Sequence, residues 1–183
     1  MEAGDEAAGA VFLDRHRGAV WRLLRAACRS EQEAEEALQE SFLAVFRAPG
    51  AFAGPGSARP WLLGVARRQA ARTWRRRSGE PMHAEALDGR EEAPLVELGV
   101  AAGWGEVRDP EARVSAMEDH ARLHRALDAL SPADREVITL RDLEGLSGPE
   151  AAQVLDLPLA SLKTRLHRAR LRLLARLREE ESR

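Results

Sequence analysis

Apolar positions recur at helical spacing through most of the chain, and nowhere do they alternate as in a strand. From Val11 to Arg29 one face collects Phe12, His16, Val20, Leu24 and Ala27, with arginines elsewhere. Residues 1–9 are small and acidic and read as a frayed end. Ser30 and the acids behind it start a second helix that runs to about Phe46. Its inward stripe is Ala34, Leu38, Phe42 and Val45; Glu36, Gln39, Glu40 and Leu43 lie opposite. Pro and Gly make a loop of Ala48 to Ser57. Arg59 to Arg77 is a third helix, in which Trp61, Leu62, Val65, Ala66, Gln69 and Ala70 interleave with arginine. Trp61 and Trp74 fit a core, the usual fate of tryptophan in a small bundle.

Ser78 to Asp109 loses the period, holds Pro81 and Pro94 and is rich in acids, which reads as a linker. Trp104 within it suits a buried anchor. A long helix follows from Glu111 to Leu130, with Val114, Met117, Leu123, Leu127 and Leu130 apolar. Ser131-Pro132 ends it and caps the next helix, which carries Val137, Ile138 and Leu140. Leu143-Glu144-Gly145-Leu146 is the exit turn. The predicted class is all-α in two small helical domains, 8–77 and 111–180, joined by the linker 78–110.

The last stretch, Ser147 to Arg178, is the most regular. Ser147 is an N-cap, Pro149 sits just inside the helix, and Glu150 completes a capping box. Ala151, Ala152, Val154 and Leu155 form a short helix that breaks at Asp156-Leu157-Pro158. Asp156 tolerates the left-handed exit, and Pro158 pushes Leu157 out of the helical region. The second helix has one stripe: Leu159, Leu162, Leu166, Ala169, Leu173 and Leu177. Ser161, Thr164, Arg165, Arg168 and Arg172 lie opposite, with Lys163 and Arg170 on the flanks. A short helix, a tight turn and a basic amphipathic helix make the pattern of a helix-turn-helix that reads the major groove. A solvated arginine face is the ordinary alternative for such a helix standing alone.

Charge changes the picture because it is segregated. The formal net charge is −2 over 183 residues. Yet Arg59–Arg77 holds seven arginines and no acid, and Pro158–Arg178 holds seven basic residues and no acid. Residues 31–40 hold five glutamates and no base. Attraction to phosphate acts over a Debye length of about 8 Å, so local blocks outweigh the sum. Basic residues with interleaved aromatics suit single-stranded DNA, whose bases stack on rings. The single cysteine, Cys28, excludes an internal disulfide and fits a reducing compartment. No secretory signal is evident, and no apolar run nears the roughly 18 residues of a membrane span. The expectation is a soluble cytoplasmic protein. His120 and His124, four apart, have no third ligand at metal-site spacing. The glutamates lack a paired polar pocket, so neither a metal, a cofactor nor an enzyme activity is expected.

Three stretches in order carry a resemblance: EAEEALQESFLAVF (33–46), FAGPGSARPWLLGVARRQAARTWRRR (52–77), and the stretch 127–177 with LRDLEGLS and KTRLHRAR. Together they resemble the extracytoplasmic-function (group 4) sigma factors of the bacterial primary sigma family, over roughly residues 11–77 and 118–178. The resemblance implies docking of the first domain on core RNA polymerase through Glu36, Gln39, Glu40 and Leu43. It implies that the loop from Phe52 to Ser57 captures a flipped base of the −10 promoter element. The helix with Arg59, Trp61, Arg67, Arg68 and Arg72 would lie along the melted strand. The second domain would read the −35 element. There Lys163, Arg165 and the flanking Arg170 meet phosphates, and Thr164, His167 and Arg168, with Ser161 on the same face, turn towards base edges. Arg68 and Ala71 depart from the Asn and the acid common in the family, and Pro55 departs from a polar loop. An anti-sigma factor is a further implied partner. Acidic segments, the second helix and the linker, are expected to lie over the basic surfaces of the free protein. The rival readings are a DNA-binding regulator working without polymerase and a decoy for an anti-sigma factor that does not itself initiate transcription.

Overall fold

The computed structural model describes residues 3–47, 57–78 and 121–181. The capture loop with Phe52, the linker with Trp104, and the start of the long helix with Val114, Met117 and His120 lie outside them. Among the described residues all regular structure is helical.

Helix α1 spans Ala3–Ala27, α2 Glu31–Arg47 and α3 Ala58–Ser78, and each packs on the other two. α1 starts at Ala3, before the expected frayed end has run out, because Ala and Glu there are good helix formers. Its inward face is the expected one, widened by Leu13 and Leu23. Ser30 caps α2 by accepting from the Glu33 N–H at 3.2 Å, while the Glu33 carboxylate accepts from the Arg29 N–H at 3.1 Å. Ala34 and Leu38 are buried, and Phe42 and Val45 pack against the core as their stripe predicts. The buried Ser41 hydroxyl donates to the Ala37 carbonyl at 2.5 Å, so no polar atom of that side chain is stranded. Leu23, Leu24, Leu62 and Leu63 are fully enclosed. Each such leucine stabilises the unit by about 1.5–3 kcal/mol against the exposed chain.

In the C-terminal half, residues 121–128 form the described part of α4, followed by α5 at Pro132–Ile138. Ser131 caps α5, its hydroxyl accepting from the Asp134 N–H at 3.2 Å. The chain then widens into a π-helical turn, Thr139–Leu143, which the sequence pattern did not predict. The Glu144 N–H closes it on the Thr139 carbonyl at 2.8 Å, and Gly145 leaves it at a φ of 65°, where a Cβ would be strained.

Helix α6 (Gly148–Leu155) has its complete capping box: the Glu150 N–H donates to Ser147 Oγ, and the Ser147 N–H donates to the Glu150 carboxylate at 2.8 Å. Asp156 takes the left-handed conformation, φ 54° and ψ 49°. Helix α7 (Leu159–Glu181) buries Leu162, Leu166 and Ala169. Leu159, counted in that stripe, stays 39% exposed because it opens the helix beside Gly148, at the edge of the core. The two halves also pack on each other. α3 lies against α6, α1 lies against α5 and the π-turn, and the buried apolar residues of both halves form one cluster.

Candidate nucleic-acid interface

The basic face of α3 begins at Arg59, in the first turn, and continues through Arg67, Arg68 and Arg72. Leu62, Leu63, Ala66 and Ala70 point inward, which puts Arg68 and Arg72 on the far side of the helix, Arg67 on a flank and Arg59 at the start of the inward stripe itself. Arg68 and Arg72 are exposed, as is Ser57 just before the helix. Trp61 is half-buried against the core, as a bundle tryptophan is expected to be. Trp74 is half-buried too, with the Arg29 guanidinium 3.6 Å above its ring centre.

Two arginines of that face are engaged by the other half of the chain. The carboxylate of Glu144, at the exit of the π-turn, accepts from Arg59 and, at 2.5 Å, from Arg22 of α1. Glu144 is buried while Arg22 is half-exposed. Eight residues earlier in the C-terminal half, buried Glu136 pairs at 3.4 Å with Arg67, eight residues later in α3. Burial pushes the Glu136 carboxyl above its ordinary range, against the pull of Arg67 and, more weakly, Arg165. Nearby His16 is held below its ordinary range by burial and then by Arg59 and Arg15, and so is neutral at pH 7. The acids that meet Arg59 and Arg67 thus come from α5 and the π-turn. Of the acids expected to cover α3, those of α2 hold Arg77, whose guanidinium lies 2.7 Å from Glu36 and 3.3 Å from Glu33.

Glu136, Glu144 and Arg22 were not singled out from sequence. Glu136, Leu140 and Glu144 stand four apart on the stripe that buries Val137. Acids on a buried stripe require partners, and that was the available signal.

On α7, Lys163, Thr164 and His167 are exposed, and Ser161, Arg165 and Arg168 are half-buried. The Thr164 hydroxyl donates to the Ala160 carbonyl at 3.1 Å, which leaves its lone pairs facing outward as acceptors. Arg170 forks onto Asp142 of the π-turn, and Arg172 reaches Asp134 at 2.7 Å. These two pairs tie the basic helix to the elements beneath it. On α2, Gln39 and Glu40 are exposed, Leu43 is 44% exposed, and Glu36 is half-buried under Arg77. No group of three or more His, Cys, Asp or Glu suited to a metal occurs among the described residues. Nor is any helix among them long and apolar enough to cross a membrane. The structure thus carries arginine-rich surfaces on α3 and α7 and an acidic-apolar face on α2.

Comparison with known proteins finds two family regions in the chain. The family model for Sigma-70 region 2 matches residues 12–80, and that for Sigma-70, region 4 matches residues 120–173. The RNA polymerase sigma factor CnrH of Cupriavidus metallidurans is 30% identical over 175 residues, 94% of this chain and 88% of that protein. The ECF RNA polymerase sigma-E factor of Salmonella typhimurium is 29% identical over 170 residues, 93% of this chain and 86% of that one. Among solved structures, the sigma factor RpoE of Bartonella quintana, crystallised with the anti-sigma factor NepR, is similar in fold. Its TM-score is 0.65 at 21% identity, covering 92% of this chain and 96% of that one.

Proposed function

Since the chain belongs to the extracytoplasmic-function sigma factors, with sigma-70 regions 2 and 4 in order, we propose that it binds core RNA polymerase and directs promoter-specific initiation. The observation that carries this reading is the pairing of two arginine-rich helix faces, on α3 and α7, with an acidic-apolar face on α2. In this reading the first domain, 8–77, docks through Glu36, Gln39, Glu40 and Leu43 and opens the −10 element. The second, 111–180, reads the −35 element, and 78–110 links them. Extruding a base costs a few kcal/mol, which phosphate contacts from Arg59, Arg67, Arg68 and Arg72 help to offset. Polymerase, holding both domains, raises the effective concentration of each on its own element. The protein supplies no catalytic step itself and acts where the polymerase is, in the cytoplasm. An anti-sigma factor that covers these faces is the corresponding inhibitor.

Run-off transcription with core enzyme, on promoters selected by the holoenzyme from a library, tests this. The wild-type chain should start synthesis at one site. Glu40→Arg with Leu43→Ala, both at exposed positions, should abolish synthesis and core binding while leaving the melting temperature unchanged. Undiminished synthesis by that variant would remove the docking assignment. Tight sequence-specific repression without polymerase would favour the regulator reading.

A further inference from the structure

The outermost line of α7 does not run through its arginines. Ala160, Lys163, Thr164 and His167 are exposed, whereas Ser161, Arg165 and Arg168 are half-buried. At about 100° per residue, the direction opposite buried Leu162, Leu166 and Ala169 falls between Ala160 and Thr164. Lys163 and His167 lie to one side of that line and Arg168 to the other. Ala160 is the second residue of α7, and the first turns of a recognition helix are the part that reaches base edges. Its side chain is one methyl group, with nothing polar to satisfy. Thr164 stands one turn later, and at that spacing the Cβ atoms are about 5–6 Å apart. The Thr164 hydroxyl donates to the Ala160 carbonyl at 3.1 Å. With its proton committed there, Thr164 meets a base only as an acceptor.

These two properties select a base pair. In the major groove only adenine N6 and cytosine N4 offer a proton to an acceptor, and only thymine offers a methyl group. A C·G pair presents the donor without the methyl; an A·T pair presents both. We propose that Ala160 and Thr164 form one recognition site for an A·T pair of the −35 element, with Thr164 Oγ1 accepting from adenine N6 and Ala160 packing on the 5-methyl of the paired thymine. The inference rests on the reading of α7 as the −35 helix. It adds Ala160, which lies outside the set named from sequence, and it gives Thr164 a definite base. Arg168, one turn further along the same i, i+4 row, is left to a neighbouring guanine. Neither side chain of the site is charged, so it contributes to discrimination and not to the salt-dependent part of affinity.

The test uses the holoenzyme and the promoters it selects from a random library, then alters single groups of the −35 duplex. The selected promoters should share an A·T pair in that element. Deoxyuridine in place of thymidine at that pair removes only the methyl and should weaken binding about fourfold. 2-Aminopurine in place of adenine takes the amino group out of the major groove and should weaken binding about fivefold. Each penalty should vanish in one variant, the deoxyuridine penalty in Ala160→Gly and the 2-aminopurine penalty in Thr164→Val. The salt slope should keep its wild-type value in both. If circular dichroism shows that glycine loosens the start of α7, Ala160→Ser restores a residue suited to a helix start and sets a hydroxyl against the thymine methyl. A −35 element without a preferred A·T pair, or analogue penalties that persist in the variants, overturns the site. A holoenzyme that selects no promoter would count against the sigma reading instead, and the same analogues in a duplex selected by the full chain alone then decide the pair.

Discussion

Arg170 of α7 grips Asp142 of the π-turn with two parallel hydrogen bonds, Nε at 3.0 Å and Nη2 at 2.5 Å from the two carboxylate oxygens. The contact raises the affinity of Arg170 for its proton, chiefly through the hydrogen bonds to Asp142. It also orients α7 on the turn that precedes α6, so a residue expected to meet phosphate is engaged in aligning the helix. Both partners are partly exposed, at 52% and 31% of their side chains, and solvent screens the pair. Arg170→Ala should therefore cost only about 0.5–1 kcal/mol of stability. Thermal melts and a salt titration of −35 duplex binding check this together. Melting should fall by a few degrees while the salt slope stays near wild type, and a slope lower by a full counterion would make Arg170 a phosphate contact after all.

Local chemistry was the legible part of this fold. The Ser147–Glu150 box, the Ser131 cap and the left-handed Asp156 each depend on residues within four positions, and all three stand as read. The stripes of α2 and α7 were legible for the same reason, except at Leu159, where a helix end leaves the stripe without a neighbour. The junction between the halves was not. Arg22 and Arg59 meet Glu144 across 122 and 85 positions of sequence, and periodicity within one helix carries no information about such a pair. The π-turn escaped for a related reason. Leu140 within the widened turn and Leu146 just after it are both buried, and the turn packs on α1, a tertiary contact that local preference does not encode.

Glu136 gives the fold an acid-side signature. Its carboxyl, raised by burial, binds a proton more readily in the folded chain than in the unfolded one. Its favourable contribution is therefore complete below the ordinary carboxylate range and is lost as pH rises through the raised value. The groups that face it are Arg67 on α3, Arg165 on α7 and the Cys28 thiol, none of which changes charge in that window. Glu136→Gln, a neutral isostere, should remove the dependence. In denaturant titrations from pH 7.5 down to about 4.5, the wild type should gain stability relative to the variant as pH falls. A constant difference across the range would mean that Glu136 is not held above its ordinary pKa.

The alkaline side should belong to Cys28. Burial, then Glu33 and Glu136, push its thiol up to about 12. A thiol raised in the folded state stabilises it fully below its unfolded pKa and loses that contribution as pH climbs towards the folded value. The chain has no tyrosine and one lysine, so few other groups titrate between pH 9 and 12. Stability should fall steeply over that interval in the wild type and much less in Cys28→Ala. Equal slopes for the two proteins would deny the raised thiol. In the native chain at pH 8, alkylation of Cys28 should run about a thousandfold slower than that of an ordinary cysteine, because the thiolate is so scarce.

In the proposed reading of α7 as the −35 helix, depth separates positioning from discrimination. Lys163 is exposed on the flank of α7, on a flexible stem that suits a phosphate as a point charge. Arg168 is half-buried on the side of α7 away from Leu162, Leu166 and Ala169, and its planar fork suits a guanine edge. Thr164, one turn earlier, offers hydroxyl lone pairs beside it, its proton being held by Ala160. Arg168→Ala should then cost about 1–3 kcal/mol at one or two base pairs and relax preference there. Lys163→Ala should weaken all promoters alike and lower the salt slope by about one. Activity of each variant across a library of single-base −35 substitutions measures both effects at once. Uniform loss from Arg168→Ala together with altered base preference from Lys163→Ala would reverse the two assignments. That outcome would place the groove-facing edge of α7 one residue-step around the helix, towards Lys163 and His167.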